Sequence, residues 1–303
     1  MKSLDFFFAA RPLLHLPIWS IYLVSLHYHN QLSREGFDWR DLVMMSGISL
    51  LFAGASYLNQ VYDFESDRLN NKLGFLQRGL LTSKQLLNGF VIVSVAGMTL
   101  TPFFSWLVFF LFAQLLLLVL AYSLPPLRLK DRPVGGLLAN AWAFGFLIPV
   151  SVMPHMTIHN AGLLGWNTPF YFFFAVGATY ALTTIPDRAG DAAVGKRTLA
   201  VVLGVTGTMT VAIVLFLLAT MTALGPGQLF LFFVAAGAAG LVCGATLLRT
   251  ESSVRLAAKL PLFVLTLAAG YWYPIYLAFV VALLAATRAY YRRRFQASYP
   301  ELS

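Results

Sequence analysis

The sequence predicts an all-α, polytopic membrane protein with about nine transmembrane helices in one bundle, and three observations predict it. Of 303 residues, 59% are apolar and 11% are charged, against roughly 45–50% and 25% in soluble domains. Mean hydropathy is +0.74, carried in part by 26 Phe, 13 Tyr and 6 Trp. The charges fall between long apolar runs. This composition excludes a soluble globular domain, a disordered chain and a disulfide scaffold. The single cysteine, Cys243, has nothing to bridge and reads as a small core residue. Residues 1–303 read as one domain.

A span needs about 20 apolar residues. On that measure helices are expected at 12–29, 42–64, 85–103, 106–124, 134–153, 168–187, 198–221 and 228–248, with a last apolar block at 256–290. The first is preceded by Lys2, a short run at 6–10 and Arg11-Pro12, which reads as the start of a span and not as a cleaved signal. Pro102 separates the third helix from the fourth, and Pro125-Pro126 closes the fourth, because proline cannot continue the hydrogen-bond ladder. Gly270-Tyr271-Trp272-Tyr273-Pro274 is a possible break in the last block. Nine spans is the favoured count and ten the alternative.

Orientation follows from the basic residues. Loops 65–84, 125–133, 188–197 and 249–259 carry four, three, three and three Lys or Arg, whereas the loops near 104, at 154–167 and at 222–227 carry none. Loop 30–41, with Arg34 and Arg40, is a minor exception. The basic loops and the N-terminus are therefore expected on the cytoplasmic side of a plasma or inner membrane, if the source is prokaryotic. This bias accounts for the net charge of +9 without a nucleic-acid partner. Nine spans would leave Arg288, Arg292, Arg293 and Arg294 on the wrong side.

Only twelve Asp and Glu occur, and five of them fall in two short segments, Asn59–Asp67 and Asp187–Asp191. Residues four apart share a helix face, so Asn59, Asp63 and Asp67 form one oxygen-bearing stripe, and Asp187 with Asp191 another. Glu65 lies about 200° around the helix from Asp63 and points away. Four spans separate the motifs, so both emerge on one membrane face. Paired carboxylates there suit a divalent cation such as Mg²⁺, which takes hard oxygen ligands and shares them with phosphate. Lys72, Lys196 and the loop Tyr122-Ser-Leu-Pro-Pro-Leu-Arg128-Leu-Lys130 set cationic groups beside them, the layout a diphosphate requires.

Together these segments resemble the UbiA-type superfamily of intramembrane prenyltransferases. Its patterns are N-D-x-x-D-x-x-x-D in one half, D-x-x-x-D in the other, and Y-S-x-P-P-x-R-x-K in several branches. Arg11-Pro12, residues 67–72 and Gly195–Leu199 extend the likeness across most of 11–204. It departs at Gln60, where the family commonly has Asp, and at 77–80. The resemblance implies a bundle around a central cavity, with an active site facing the cytoplasm. It also implies a polyprenyl diphosphate donor and a small hydrophobic or aromatic acceptor, both within membrane lipid. Mg²⁺ would be held by Asn59, Asp63, Asp67, Asp187 and Asp191, the four aspartates being catalytic. Asn59, Lys72, Tyr122, Arg128, Lys130 and Lys196 would bind the diphosphate.

The rival class is an ion- or proton-coupled secondary transporter of a hydrophobic solute. Its carboxylates are expected near the bilayer midplane on broken helices, whereas these stand at helix ends among basic residues. A noncatalytic scaffold has no need of such an assembly. His155 and His159 are four apart but fall in a loop expected on the opposite face. No P-loop, dinucleotide fingerprint, nucleophile elbow or metalloprotease helix occurs.

Overall fold

Long apolar helices run almost throughout the chain, as a lipid-embedded backbone requires, because every N–H and C=O must be satisfied internally. The structure, a computed structural model, describes residues 2–33, 36–69, 74–153, 162–225, 227–248, 250–297 and 299. The helices are α1 (Lys2–Ala9), α2 (His15–Ser33), α3 (Trp39–Tyr62), α4 (Phe64–Leu69), α5 (Ser83–Thr99), α6 (Trp106–Ser123), α7 (Pro133–Val150), α8 (Gly162–Thr183), α9 (Arg188–Ala193), α10 (Leu199–Thr222), α11 (Leu229–Leu248), α12 (Glu251–Trp272) and α13 (Pro274–Phe295). Among the described residues, nine helical stretches are long and apolar enough to cross a membrane, the first being Ser3–Gln31 and the last two Ser252–Trp272 and Pro274–Phe295. The expected block at 256–290 is thus two helices, divided at Tyr273 with Pro274 starting the second. The sixth expected span corresponds to α8, which is not among those nine.

Local chemistry sets the ends. Asp38 caps α3, its carboxylate accepting from the Arg40 N–H at 2.6 Å while Asp41 accepts from the Asp38 N–H at 2.9 Å. Such a reciprocal box satisfies donors that the first turn leaves open. Thr82 and Gln85 do the same for α5. Pro125 follows the end of α6, and Pro133 opens α7, where its missing N–H costs nothing. Within α7 the turn widens to π-helix over Ala141–Leu147. Gly145 in that stretch lies against α8 so closely that a Cβ would stand 2.4 Å from the Phe172 carbonyl oxygen.

Among the described residues, three apolar clusters hold the bundle. The largest joins Tyr22, Met44, Phe112, Tyr171 and Phe172. A second packs Ala178 and Ala181 of α8 against Ala212 of α10 and Ala238 and Ala239 of α11. Small residues let helices approach where lipid supplies no hydrophobic drive between them. Large side chains such as Ile92, Leu117, Phe233 and Leu247 point outward. Cys243, expected in the core, also lies on this outer surface, because its helix buries the alanines on the other face.

The third cluster joins Phe8 and Ala9 of α1 to Tyr57, Phe75, Leu86, Tyr291 and Phe295. It brings the first and last helices together. Asp5, buried, accepts from Tyr290 Oη at 2.5 Å and from Arg294 at 3.1 and 2.9 Å. The C-terminal arginines therefore stand at the same end as the N-terminal helix. The charge anomaly that nine spans created is removed by an even number of crossings, which the split of the last block gives once the 22-residue α8 is counted beside the nine.

Candidate functional site

At this end α3 stops one residue short of its acidic stripe. Asp63 leaves the helix at φ −101° and ψ 6°, yet its N–H donates to the Asn59 carbonyl at 2.8 Å and its own carbonyl accepts from the Asp67 N–H at 2.8 Å. The four-residue hydrogen-bond spacing survives the break. Glu65 turns to solvent and pairs with Arg68 at 2.9 Å. Asn59 accepts from Ser123 Oγ at 2.5 Å, which ties α3 to the start of the Pro-Pro loop. Asp67 faces the Arg11 guanidinium at 3.7 Å. Arg11 itself has φ 54°, a left-handed conformation that only the surrounding structure can hold in a branched-chain-free but non-glycine residue.

The Pro-Pro loop delivers cations to the stripe. Lys130 Nζ lies 2.9 Å from Asp63 Oδ2, and its side chain is 6% exposed. Arg128, with φ 38°, turns its Nε to Asp131 Oδ2 at 2.8 Å and donates to the Tyr62 carbonyl at 3.4 Å. From the second half, Gly195 at φ 74° makes the turn that brings Lys196 inward. The Lys196 N–H donates to the Asp191 carbonyl at 2.9 Å, and the Arg197 N–H to the Asp131 carbonyl at 3.0 Å.

Lys196 joins the halves. Its ammonium donates to Asp63 Oδ1 at 3.2 Å and to Ser66 Oγ at 3.0 Å, and it lies 3.6 Å from Asp191 Oδ1 and 4.0 Å from Asp131 Oδ1. Burial pushes the Asp63 carboxyl up, but Lys130 and Lys196 together outweigh it and hold the group below the ordinary carboxylate range. Burial dominates at Lys130 and lowers it despite Asp63. At Lys196 burial also lowers, but Asp63, Asp191 and Asp131 prevail and raise it. The two lysines differ because Lys130 is the more deeply buried and is opposed by Lys196, whereas Lys196 has three carboxylates within 4 Å.

Tyr122 is within hydrogen-bond reach of Asn140 and Tyr180. Gly136 makes room for that cluster, since a Cβ there would stand 2.1 Å from Tyr180 Oη. Asp187 is half-buried at the start of α9 and Asp191 is buried one turn on. Lys72, His155 and His159 lie outside the described residues. Among the described residues, no three His, Cys, Asp or Glu side chains form a group able to hold a metal by themselves.

Ser66, Asp131 and Tyr180 were not expected at the site. Asp131 follows Lys130 directly, and its adjacency to the basic loop was the available signal. Gln60 has a structural role: buried, it donates to the Ala9 carbonyl at 2.7 Å and the Ser56 carbonyl at 3.1 Å, tying α1 to α3. A carboxylate cannot donate either bond. Gln60→Asp is therefore expected to cost about 1–3 kcal/mol, read as a fall in detergent Tm, with no gain in metal affinity.

Fold and site define an intramembrane helical bundle that gathers carboxylates and cationic side chains from three distant segments at one end. The UbiA prenyltransferase family pattern matches residues 31–264. The chain belongs to that family. It is 30% identical over 174 residues to chloroplastic homogentisate solanesyltransferase of Arabidopsis thaliana, a match covering 54% of this chain and 45% of that one. The match thus spans about half the length of that curated relative. Among solved structures, one of digeranylgeranylglyceryl phosphate synthase has a TM-score of 0.65 at 16% identity, covering 88% of this chain and 98% of that one. A UbiA homologue from Archaeoglobus fulgidus bound to DMAPP and Mg²⁺ gives 0.59 at 14% identity, over 88% and 98%. At these identities the structures speak for the fold.

Proposed function

We propose that the protein transfers a polyprenyl group from its diphosphate to a small hydrophobic acceptor, an aromatic ring of the quinone-precursor kind, with Mg²⁺ as cofactor. The observation that carries this reading is the Lys196 ammonium, which touches Asp63 of one acidic motif and approaches Asp191 of the other across the fold. The name of the Arabidopsis relative supports an aromatic acceptor, and the ligands of the archaeal homologue support the donor and the metal.

The donor set fits Mg²⁺, which takes one or two carboxylates and completes its shell with water and phosphate, so it does not need a three-carboxylate cage. Asp63, Asp67, Asp187 and Asp191, with Asn59, would hold it. Bound there, Mg²⁺ would neutralise charge on the diphosphate. Arg128, Lys130 and Lys196, with Lys72 by resemblance, serve the diphosphate oxygens, and Tyr122 orients them. In the reaction the C1–O bond breaks and its electron pair leaves with the diphosphate, giving an allylic cation. The cationic side chains act where negative charge develops. The acceptor ring attacks the cation and then loses a proton. Apolar walls exclude the water that would quench it.

The basic loops and the C-terminal arginines, gathered at the end that carries the site, support a cytoplasm-facing active site in a multi-pass membrane protein. Purified protein in detergent, given geranylgeranyl diphosphate and homogentisate, is expected to release diphosphate with Mg²⁺ and to stop when the metal is chelated. A transporter would release none in either condition, and that outcome would reject the reading.

A further inference from the structure

Four oxygens from three separate segments surround one ammonium. Lys196 Nζ lies 3.0 Å from Ser66 Oγ, 3.2 Å from Asp63, 3.6 Å from Asp191 and 4.0 Å from Asp131. Around it the carboxylates are met by cations. The carboxylates of Asp63, Asp131 and Asp191 face the cations of Arg128, Lys130 and Lys196, and Asp67 in its turn faces Arg11. A site paired in this way offers a bare divalent cation little net attraction, whatever the affinity of each carboxylate alone.

We infer that Lys196 is an internal counter-cation, holding Asp63 and Asp191 until the prenyl diphosphate arrives, so that metal and donor bind as a coupled pair and not metal first. This rests on the function proposed above. The backbone of Lys196 is pinned by its N–H to the Asp191 carbonyl and by the next N–H to the Asp131 carbonyl. Its ammonium rides on a flexible four-carbon stem, able to change partner while the backbone stays. Diphosphate oxygens give that ammonium new acceptors, and its departure leaves Asp63 and Asp191 to a metal. The coupling is reciprocal: whatever the donor adds to metal affinity, the metal adds to donor affinity. Lys196 thus plays two parts, opposing the metal before the donor binds and serving the leaving group afterwards.

The two parts have opposite signs on removal, which makes the inference testable by binding alone. Mn²⁺ binding to the purified full-length protein in detergent is followed by the loss of its free-ion electron paramagnetic resonance signal. Binding of a nonreactive prenyl thiolodiphosphate is followed separately, with and without metal. Wild type should bind Mn²⁺ alone only weakly, with a dissociation constant near millimolar. Lys196→Gln should bind Mn²⁺ alone at least about tenfold more tightly, about 1.4 kcal/mol, and the metal-free thiolodiphosphate more weakly. Lys196→Arg, which keeps the charge, should resemble wild type. Micromolar binding of Mn²⁺ alone by wild type overturns the inference even if the glutamine variant does not fold, and so does equal or weaker metal binding by a folded Lys196→Gln. If wild type binds no thiolodiphosphate even with metal, the prenyl-diphosphate reading itself fails. If it binds with metal but Lys196→Gln shows no gain, only the counter-cation role fails.

Discussion

Asp63→Asn is expected to lower turnover roughly 10²- to 10³-fold, the range seen when one group that stabilises developing charge is removed. Asp63 gives one oxygen to Lys130 at 2.9 Å and the other to Lys196 at 3.2 Å. An asparagine has nearly the same shape but no charge, and its NH₂ would turn a donor toward one of two ammonium groups that need acceptors. The Lys130 side chain, only 6% exposed, would lose its close counter-charge. Under the proposed mechanism one metal ligand is lost as well. Both effects act on the diphosphate end of the reaction, so kcat should fall more than donor KM rises. Glu65→Gln is the matched control. Its carboxylate pairs with Arg68 at the exposed surface, and such pairs are worth about 0–1 kcal/mol, so the rate should stay near wild type. Diphosphate release by the two purified variants, with Tm measured in the same detergent, checks this. A wild-type rate in Asp63→Asn, or an equal loss in Glu65→Gln, would refute the assignment.

The contrast between these two residues was legible in the sequence, because helical spacing alone separates position 65 from 59, 63 and 67. A separate count, four spans between the two acidic motifs, put them on one membrane face, and the contact of Lys196 with Asp63 and Asp191 agrees with it. Other features follow from backbone geometry that no periodicity encodes. The approach of Lys196 depends on left-handed Gly195, and the direction of Arg128 on a left-handed backbone and on Asp131. Gln60 read as a missing ligand because the family pattern was the only frame for it, and its two carbonyl partners belong to its own helix and to α1. The sequence favours the last apolar block as one span, although Gly270–Pro274 marks a possible break, because two spans of about 17 residues each stand at the lower limit of length. A single proline divides it into α12 and α13, and with that division the C-terminal arginines return to the site's end of the bundle.

That return carries the second large effect. Asp5→Ala is expected to destabilise the protein by about 3 kcal/mol, the lower end of what breaking a buried ion pair costs, because Arg294 is 24% exposed and keeps some solvent. The Asp5 carboxylate takes three donors, Tyr290 Oη and two nitrogens of Arg294, and its side chain is 2% exposed. Removing it leaves the arginine uncompensated and loosens α1 from α13. The loss should reach the site, since α1 runs directly into Arg11, which faces Asp67, and since Gln60 holds the Ala9 carbonyl at the end of the same helix. Donor KM should therefore rise several-fold while the chemistry stays intact. The double variant Asp5→Leu with Arg294→Leu separates the two causes. It removes both charges together and fills the space with apolar atoms, which in buried pairs is often close to neutral. Its Tm should recover much of the loss. If the single variant keeps the wild-type Tm, the latch between the chain's two ends does not contribute to stability. If Tm falls but donor KM does not change, the latch holds the fold without positioning Arg11.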